Sequence, residues 1–193
     1  MERKNRAVFL DRDGTINVEK GYVHKIEDFE FIPGVPEALT LLREKGYLLI
    51  VVTNQSGVAR GYYPMEAVQR LHRHMDEELA RFGAAVDAYY ICPHHPEGGV
   101  DEYKRVCKCR KPLAGMLMDA AREFSINLAS SYMIGDKPTD VEAGLNAGCR
   151  SLYVTTGHGT DASAAVQPDV PRFRNLLEAA RAIVSEAEKM RSE

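Results

Sequence analysis

Ala7-Val8-Phe9-Leu10-Asp11-Arg12-Asp13-Gly14-Thr15 carries the pattern that decides the architecture. Four apolar residues run straight into two carboxylates, a glycine and a hydroxyl. A short apolar run that stops at turn residues reads as a buried strand. The pattern recurs downstream. Tyr47–Val52 is apolar on both faces, as an inner parallel strand is, and it ends at Thr53-Asn54-Gln55-Ser56-Gly57. Val86–Cys92 reads as a third strand, Tyr132–Ile134 as a fourth that stops at Gly135-Asp136, and Ser151–Val154 as a fifth. Helical patterns fill the gaps. They run from Pro36 to Lys45 with Gly46 as the stop, from Pro64 to Gly83, from Leu113 to Phe124, and from Pro138 to Ala147 before Gly148. A last helix runs from Arg172 to about Met190.

Strands alternating with helices through short links predict an α/β fold, a Rossmann-like three-layer sandwich around a central, mostly parallel sheet. Such sheets bind ligands at the carboxyl ends of their strands. Asp11, Thr53 and Asp136 each follow a predicted strand, so three polar residues from separate segments are expected at one rim.

The chain has 193 residues and a formal charge of −3. Its length suits one domain spanning 1–193. Hydrophobic residues at 45% and charged residues at 27% exclude a disordered chain. The acidic balance argues against a nucleic-acid partner, which needs a basic face. The run Tyr47–Val52 is far short of the ~20 residues of a bilayer span, so no membrane role is expected. The stretch from Met1 to Leu10 lacks the ~7–15 apolar residues of a signal peptide. A cytoplasmic protein is therefore expected, with Cys92, Cys107, Cys109 and Cys149 as thiols or metal ligands. No exposed apolar stripe demands a partner, and a monomer is expected.

Asp11 and Asp13 stand two residues apart at a strand end. A carboxylate there can attack phosphorus as a nucleophile, and a second can protonate the leaving alkoxide and then deprotonate water. With Asp136 nearby, the carboxylates repel one another unless a cation joins them. Mg²⁺ suits oxygen ligands and also binds phosphate. Thr53 offers a hydroxyl to phosphoryl oxygens, and Lys111 a fixed positive charge. Asp140, four residues after Asp136, reads equally well as a helix N-terminal acid.

Residues 92–112 differ from the rest. Cys92-Pro93-His94 and Cys107-Lys108-Cys109 form C-x-H and C-x-C pairs separated by residues 95–106. Three thiolates and one imidazole make a closed tetrahedral set for Zn²⁺, which points to a structural metal in a loop of about 92–110. His95 is the competing imidazole, and Cys149 reads as a small core residue. The loop runs directly into Arg110 and Lys111, so zinc would set where these cations stand.

These motifs, in this order, resemble the haloacid dehalogenase superfamily of phosphatases. The resemblance implies Asp11 as nucleophile and Mg²⁺ ligand, and Asp13 as general acid/base that gives its backbone carbonyl to the metal. It implies Thr53 and Lys111 as phosphoryl clamps and Asp136 as the remaining Mg²⁺ ligand. The chain leaves no room for a separate cap domain, so loops 17–28, 54–61 and 95–110 must select the substrate. Their cations suggest a substrate with more than one phosphate, with Arg110 and Lys137 the foremost candidates. The stretches Phe9–Asn17, Gly21–His24, Val52–Gly57, Cys92–Pro96, Cys107–Pro112 and Gly135–Lys137 narrow the resemblance to bacterial heptose bisphosphate phosphatases. That family implies substrate contacts from Glu19, Lys20, Gly21, Tyr22, Thr53, Asn54, Gln55, Ser56, Arg110, Lys111 and Lys137. It also implies removal of a C7 phosphate in the synthesis of nucleotide-activated heptose for lipopolysaccharide. Histidinol-phosphate phosphatases share the pattern and are the nearest alternative. An inactive zinc-stabilised binding protein is the alternative of another class.

Overall fold

The computed structural model describes residues 4–157 and 165–192; Met1–Arg3, the start of the N-terminal stretch read above, lie outside them. The elements in chain order are β1 (Arg6–Leu10), α1 (Val35–Glu44), β2 (Tyr47–Asn54), α2 (Ser56–Ala59), α3 (Met65–Ala80), β3 (Ala88–Cys92), α4 (Gly115–Glu123), β4 (Tyr132–Gly135), α5 (Pro138–Ala147), β5 (Arg150–Val154), β6 (Arg172–Phe173) and α6 (Leu176–Ser192). The strands form one sheet in the order β3-β2-β1-β4-β5-β6, and every pair is parallel. The predicted α/β sandwich is thus borne out.

Period-two alternation sends neighbouring side chains to opposite faces. Val8, Leu10, Leu49, Val51, Ile134 and Leu152 face one cluster, with α1, the end of α3 and α6. Ala7, Phe9, Ile50, Val52 and Met133 face the other, with α4 and α5. Both faces are covered, which is why β1 and β2 read as continuous apolar runs. Cys149 sits in the second cluster as an ordinary core residue. The terminal helix α6 packs Leu176, Ala179, Ala180 and Ile183 into the first cluster. Arg181–Glu37 and Lys45–Glu188 ion pairs fasten its outer side.

Most ends shift by one to three residues, and three of the differences have a clear cause in the pairing. The third strand begins at Ala88 rather than Val86, because Asp87 turns its carboxylate onto the Leu49 N–H and its N–H onto the Leu49 carbonyl. Thr53 and Asn54 belong to β2 rather than to the loop after it, since both pair with β3. Arg172–Phe173 is a short edge strand beside β5, and the last helix starts at Leu176.

The chain order leaves β1 and moves first to β2 and β3, then returns to β4 on the other side of β1. That reversal opens a crevice at the carboxyl end of β1. Register brings the strand ends together there: Leu10 pairs with Val51 on one side and Ile134 on the other. Asp11, Thr53 and Asp136 therefore stand at nearly one level, Thr53 still within β2. No helix of the described residues is long and apolar enough to cross a membrane.

The contact between α5 and the sheet depends on Gly144. A Cβ there would lie 2.3 Å from Ser151 Oγ and 2.5 Å from Met133 Cβ. Gly144→Ala should overpack this seam and destabilise the protein by ~1–3 kcal/mol in urea unfolding. An unchanged midpoint would show that α5 is not seated as described.

Candidate active site and the cysteine-histidine cluster

Lys111 is the centre of the site. Its ammonium is buried, 2.7 Å from Asp11 Oδ1, 2.7 Å from Asp140 Oδ1 and 2.7 Å from the Val52 carbonyl. Burial alone would lower this ammonium, but the Asp11 and Asp140 carboxylates outweigh it and hold the group above its ordinary value. Lys111 is therefore a fixed cation at every working pH. Asn54 holds its backbone on both sides: Asn54 Oδ1 accepts the Lys111 N–H at 3.1 Å, and Asn54 Nδ2 donates to the Lys111 carbonyl at 3.1 Å. Asp140 also accepts the Lys137 N–H at 3.0 Å, the helix-capping role that its position suggested. Its second oxygen does something the sequence did not reveal, which is to anchor Lys111.

Asp13 stands on the other side of Asp11 in a nest of donors. Arg12 Nη2 lies 2.9 Å from each Asp13 oxygen. Asn17 Nδ2 donates to Oδ1 at 3.1 Å, and Gln55 Nε2 to Oδ2 at 2.9 Å. Burial would raise this carboxyl, but the Arg12 charge and these hydrogen bonds hold it below its usual value. Gln55 also donates to Thr53 Oγ1 at 2.9 Å and accepts from Tyr63 Oη at 2.9 Å. Thr53, Asp13 and Tyr63 are thus oriented by one amide.

A cleft of about 370 Å³ opens over these groups. Asp13, Glu19, Gly21, Tyr22, Asn54, Gln55, Ser56, Arg110, Lys111 and Lys137 line it, together with Tyr63 and Thr139. Thr53 lies beneath the floor, almost fully buried. Lys20 is placed elsewhere: its ammonium pairs with Glu30 at 3.0 Å on the exposed side of the loop. Tyr63 and Thr139 were not foreseen, and their distances in sequence from Asp13 carry no pattern that would have flagged them. Arg60, one of the loop cations, is turned onto His95 at 3.2 Å.

Asp11, Asp136 and Asp140 place carboxylate oxygens within 4.8 Å of one another. Asp140 is committed to Lys111 and the Lys137 N–H, which leaves Asp11, Asp136 and the Asp13 carbonyl as the oxygens that could hold a divalent ion. Lys137 Nζ points at the same three groups. It stands 3.5 Å from the Asp13 carbonyl, 3.9 Å from Asp11 Oδ2 and 3.8 Å from Asp136 Oδ1. Gly14, with φ of 89°, lets the turn close against Asp136; a Cβ there would meet Asp136 Oδ2 at 2.3 Å. An all-oxygen set that already attracts the chain's own cation fits a hard divalent ion.

Cys92, His94, Cys107 and Cys109 also converge. Their sulfurs are 3.2, 3.2 and 3.5 Å apart, and His94 Nδ1 is 3.3 Å from Cys109 Sγ and 3.8 Å from Cys92 Sγ. A tetrahedron with Zn–S near 2.3 Å would place such atoms about 3.5–3.8 Å apart. Several of these separations are a few tenths of an ångström shorter, and it is the type of donor, three thiols and an imidazole, that fits zinc. His94, not His95, turns its ring inward. Arg110 Nη1 donates to the His94 carbonyl at 3.3 Å, which ties the cluster directly to the cleft.

Breaking the buried triad should be costly. Lys111→Met leaves Asp11 and Asp140 buried without their cation and should destabilise the fold by ~3–5 kcal/mol in urea unfolding. A loss below 1 kcal/mol would contradict the placement. Acid should also destabilise the fold through His72, a buried imidazole beside Arg12 whose value is pushed down to about 3 by burial and then by the Arg12 charge. Between its unfolded value near 6.5 and that folded value, the unfolded chain binds the extra proton. Stability should therefore fall by about 1.4 kcal/mol per pH unit on acidification below pH 6. His72→Phe should flatten that slope in denaturation series from pH 6.5 to 4.5; an equal slope in both proteins would refute the assignment.

Comparison with known proteins agrees with this geometry. The HAD-hydrolase-like family model matches residues 108–179. A D-glycero-beta-D-manno-heptose-1,7-bisphosphate 7-phosphatase of Photorhabdus laumondii is 55% identical over 137 residues, covering 71% of this chain and 73% of that protein. The enzyme of the same name from Yersinia pestis is 49% identical over 165 residues, covering 84% and 87%. Among solved structures, the D,D-heptose 1,7-bisphosphate phosphatase of B. bronchiseptica, complexed with magnesium and phosphate, superposes with a TM-score of 0.84 at 33% identity, covering 94% of this chain and 99% of that one. With the buried lysine triad, the carboxylate pair and these relatives together, the chain belongs to the D-glycero-beta-D-manno-heptose-1,7-bisphosphate 7-phosphatase family of HAD-like hydrolases.

Proposed function

We propose that this chain is a Mg²⁺-dependent phosphoric monoester hydrolase. It removes the C7 phosphate from D-glycero-D-manno-heptose 1,7-bisphosphate and leaves heptose 1-phosphate, through a phosphorylated Asp11. The observation that carries this reading is the cleft itself. Asp13 and the buried Lys111, which holds Asp11, meet there with Arg110 and Lys137, and Lys137 stands 3.9 Å from Asp11 Oδ2 and 3.6 Å from Glu19 Oε2.

The residues divide the work as follows. Lys111 holds Asp11 in one rotation through Oδ1 and offers positive charge to the phosphoryl group. An Asp11 oxygen attacks phosphorus, the bond from phosphorus to the C7 oxygen breaks, and Asp13 gives a proton to that oxygen. Asp13, now ionised, takes a proton from water; the hydroxide attacks phosphorus, and the bond to Asp11 breaks to release phosphate. The nest around Asp13 favours its ionised form, which suits the second step; for the first, Asp13 takes up a proton as the phosphate dianion binds beside it, since a like charge favours the neutral carboxyl. Mg²⁺ bound by Asp11, Asp136 and the Asp13 carbonyl would offset repulsion between nucleophile and phosphate. Glu19, Gly21, Tyr22, Asn54, Gln55 and Ser56 line the sugar side, Lys137 stands beside Asp11 at the reacting phosphate, and Arg110 serves the second phosphate.

Cys92, His94, Cys107 and Cys109 would hold Zn²⁺ with four protein ligands, the set of a structural site. Within a single domain, 1–193, these four residues would fasten the loop at about 92–110, and the His94 carbonyl positions Arg110. The composition and folded architecture suit a cytoplasmic monomer that feeds nucleotide-activated heptose synthesis. The named relatives all act on the heptose substrate and do not favour the histidinol-phosphate alternative.

Phosphate release from heptose 1,7-bisphosphate, with histidinol phosphate as competitor, tests the reading. Turnover of the heptose should dominate, need Mg²⁺, and fall by about 10³-fold or more in Asp11→Asn. Preference for histidinol phosphate, or turnover that survives Asp11→Asn, would overturn it. Cys109→Ser should lower zinc content and reduce turnover roughly 10–100-fold, chiefly by misplacing Arg110. Full activity in a zinc-free protein would remove zinc from the account.

A further inference from the structure

Arg12 is fully buried, yet it faces Asp13 rather than solvent or substrate. Its Nε and Nη2 groups grip the Asp13 carboxylate, and Nη2 also donates to the Val23 carbonyl at 2.6 Å. Nη1 is directed to a different element, where it meets His72 Nε2 at 3.3 Å. His72 lies on α3, sixty residues away in sequence, and is itself buried. Its ring stacks on Tyr89 of β3, with centroids 4.3 Å apart and planes 18° apart. Tyr89 in turn donates to Asp76, one helical turn beyond His72, at 2.5 Å. The imidazole is thus clamped between α3 and β3 with one nitrogen aimed at the guanidinium.

We propose that His72 is a positioning residue for catalysis: as a neutral imidazole it accepts from Arg12 Nη1 and so fixes the guanidinium that places Asp13. The inference rests on the reading of Asp13 as the proton carrier. Two features support it. A guanidinium has five donors in a rigid fork, so fixing one end fixes the end that grips the carboxylate. Burial and the adjacent Arg12 charge disfavour the imidazolium, which keeps the Nε2 lone pair available. Without that acceptor, a buried N–H would be left to find another partner, and the Asp13 carboxylate lies within its reach.

Two variants separate this role from packing. His72→Phe keeps a ring on Tyr89 but cannot accept; His72→Gln offers an amide oxygen. His72→Phe should lower kcat for heptose 1,7-bisphosphate about tenfold with KM unchanged within twofold, and His72→Gln should recover most of the loss. With p-nitrophenyl phosphate, the first-turnover burst of nitrophenolate should survive in His72→Phe, because that leaving group departs without a proton. The later steady rate should fall, since hydrolysis of phospho-Asp11 still needs Asp13. A folded His72→Phe protein with wild-type kcat, a burst lost in parallel with the steady rate, or a Gln variant no better than Phe would overturn the proposal. Nitrogen-15 NMR of the wild-type protein gives a check that needs no variant: His72 should be neutral at pH 6 with its proton on Nδ1, and a proton on Nε2 would overturn it. Asp13→Asn in the same assays keeps the two readings distinct. Wild-type turnover in Asp13→Asn would remove the proton carrier and this proposal with it. Loss in Asp13→Asn with none in His72→Phe would remove only the role of His72.

Discussion

The ammonium of Lys111 is the interaction on which the rest depends. It sits in a place with almost no water, bonded to a carboxylate from the end of β1, a carbonyl from β2 and a carboxylate from the first turn of α5. Three elements that are far apart in the chain are therefore joined by one charge. Two buried carboxylates facing each other without it would be strongly unfavourable, so the fold and the lysine require each other. The same bond fixes the Asp11 carboxylate through Oδ1. Stability and chemistry here share one set of contacts.

Around that centre the charges are sorted by depth. The buried cations, Lys111 and Arg12, face carboxylates of the protein and hold them still. The shallower cations, Arg110 and Lys137, line the open cleft. Such an arrangement suits a phosphoryl-transfer site, where positioning of the nucleophile and neutralisation of the incoming anion are separate tasks. The cysteine-histidine cluster belongs to the second task. It lies outside the cleft, but its last ligand is two residues from Lys111 and its histidine carbonyl holds Arg110.

Much of this was legible in the sequence because it is local. The strand ends at Asp11 and Asp136 announce themselves by apolar runs that stop at acids, and the spacing of the C-x-H and C-x-C pairs announces the cysteine-histidine cluster. Parallel pairing through right-handed crossovers follows once the strands are recognised, whereas the order β3-β2-β1-β4-β5-β6 is seen only in the pairing itself. What could not be read is what depends on long-range pairing. Asp140 looked like a helix-capping acid, which it is, and nothing nearby indicated that its other oxygen meets Lys111. Tyr63 and His72 reach the Asp13 nest only after α3 packs over the sheet. Lys20 has the composition of its neighbours in the substrate loop, but the loop's turn sends it to Glu30. Arg172–Phe173 is too short to carry a period, and its strand character comes entirely from pairing with β5.

On the proposed mechanism the phosphoryl group passes through Asp11, and Asp13 is needed to clear it. The most direct measurement is mass mapping of Asp13→Asn protein after incubation with Mg²⁺ and p-nitrophenyl phosphate. Asp13→Asn removes the group that activates water, so phosphate should accumulate on the chain. One phosphoryl group per chain, located on Asp11, is the predicted result. Release of nitrophenolate with Asp11 unmodified would contradict the account.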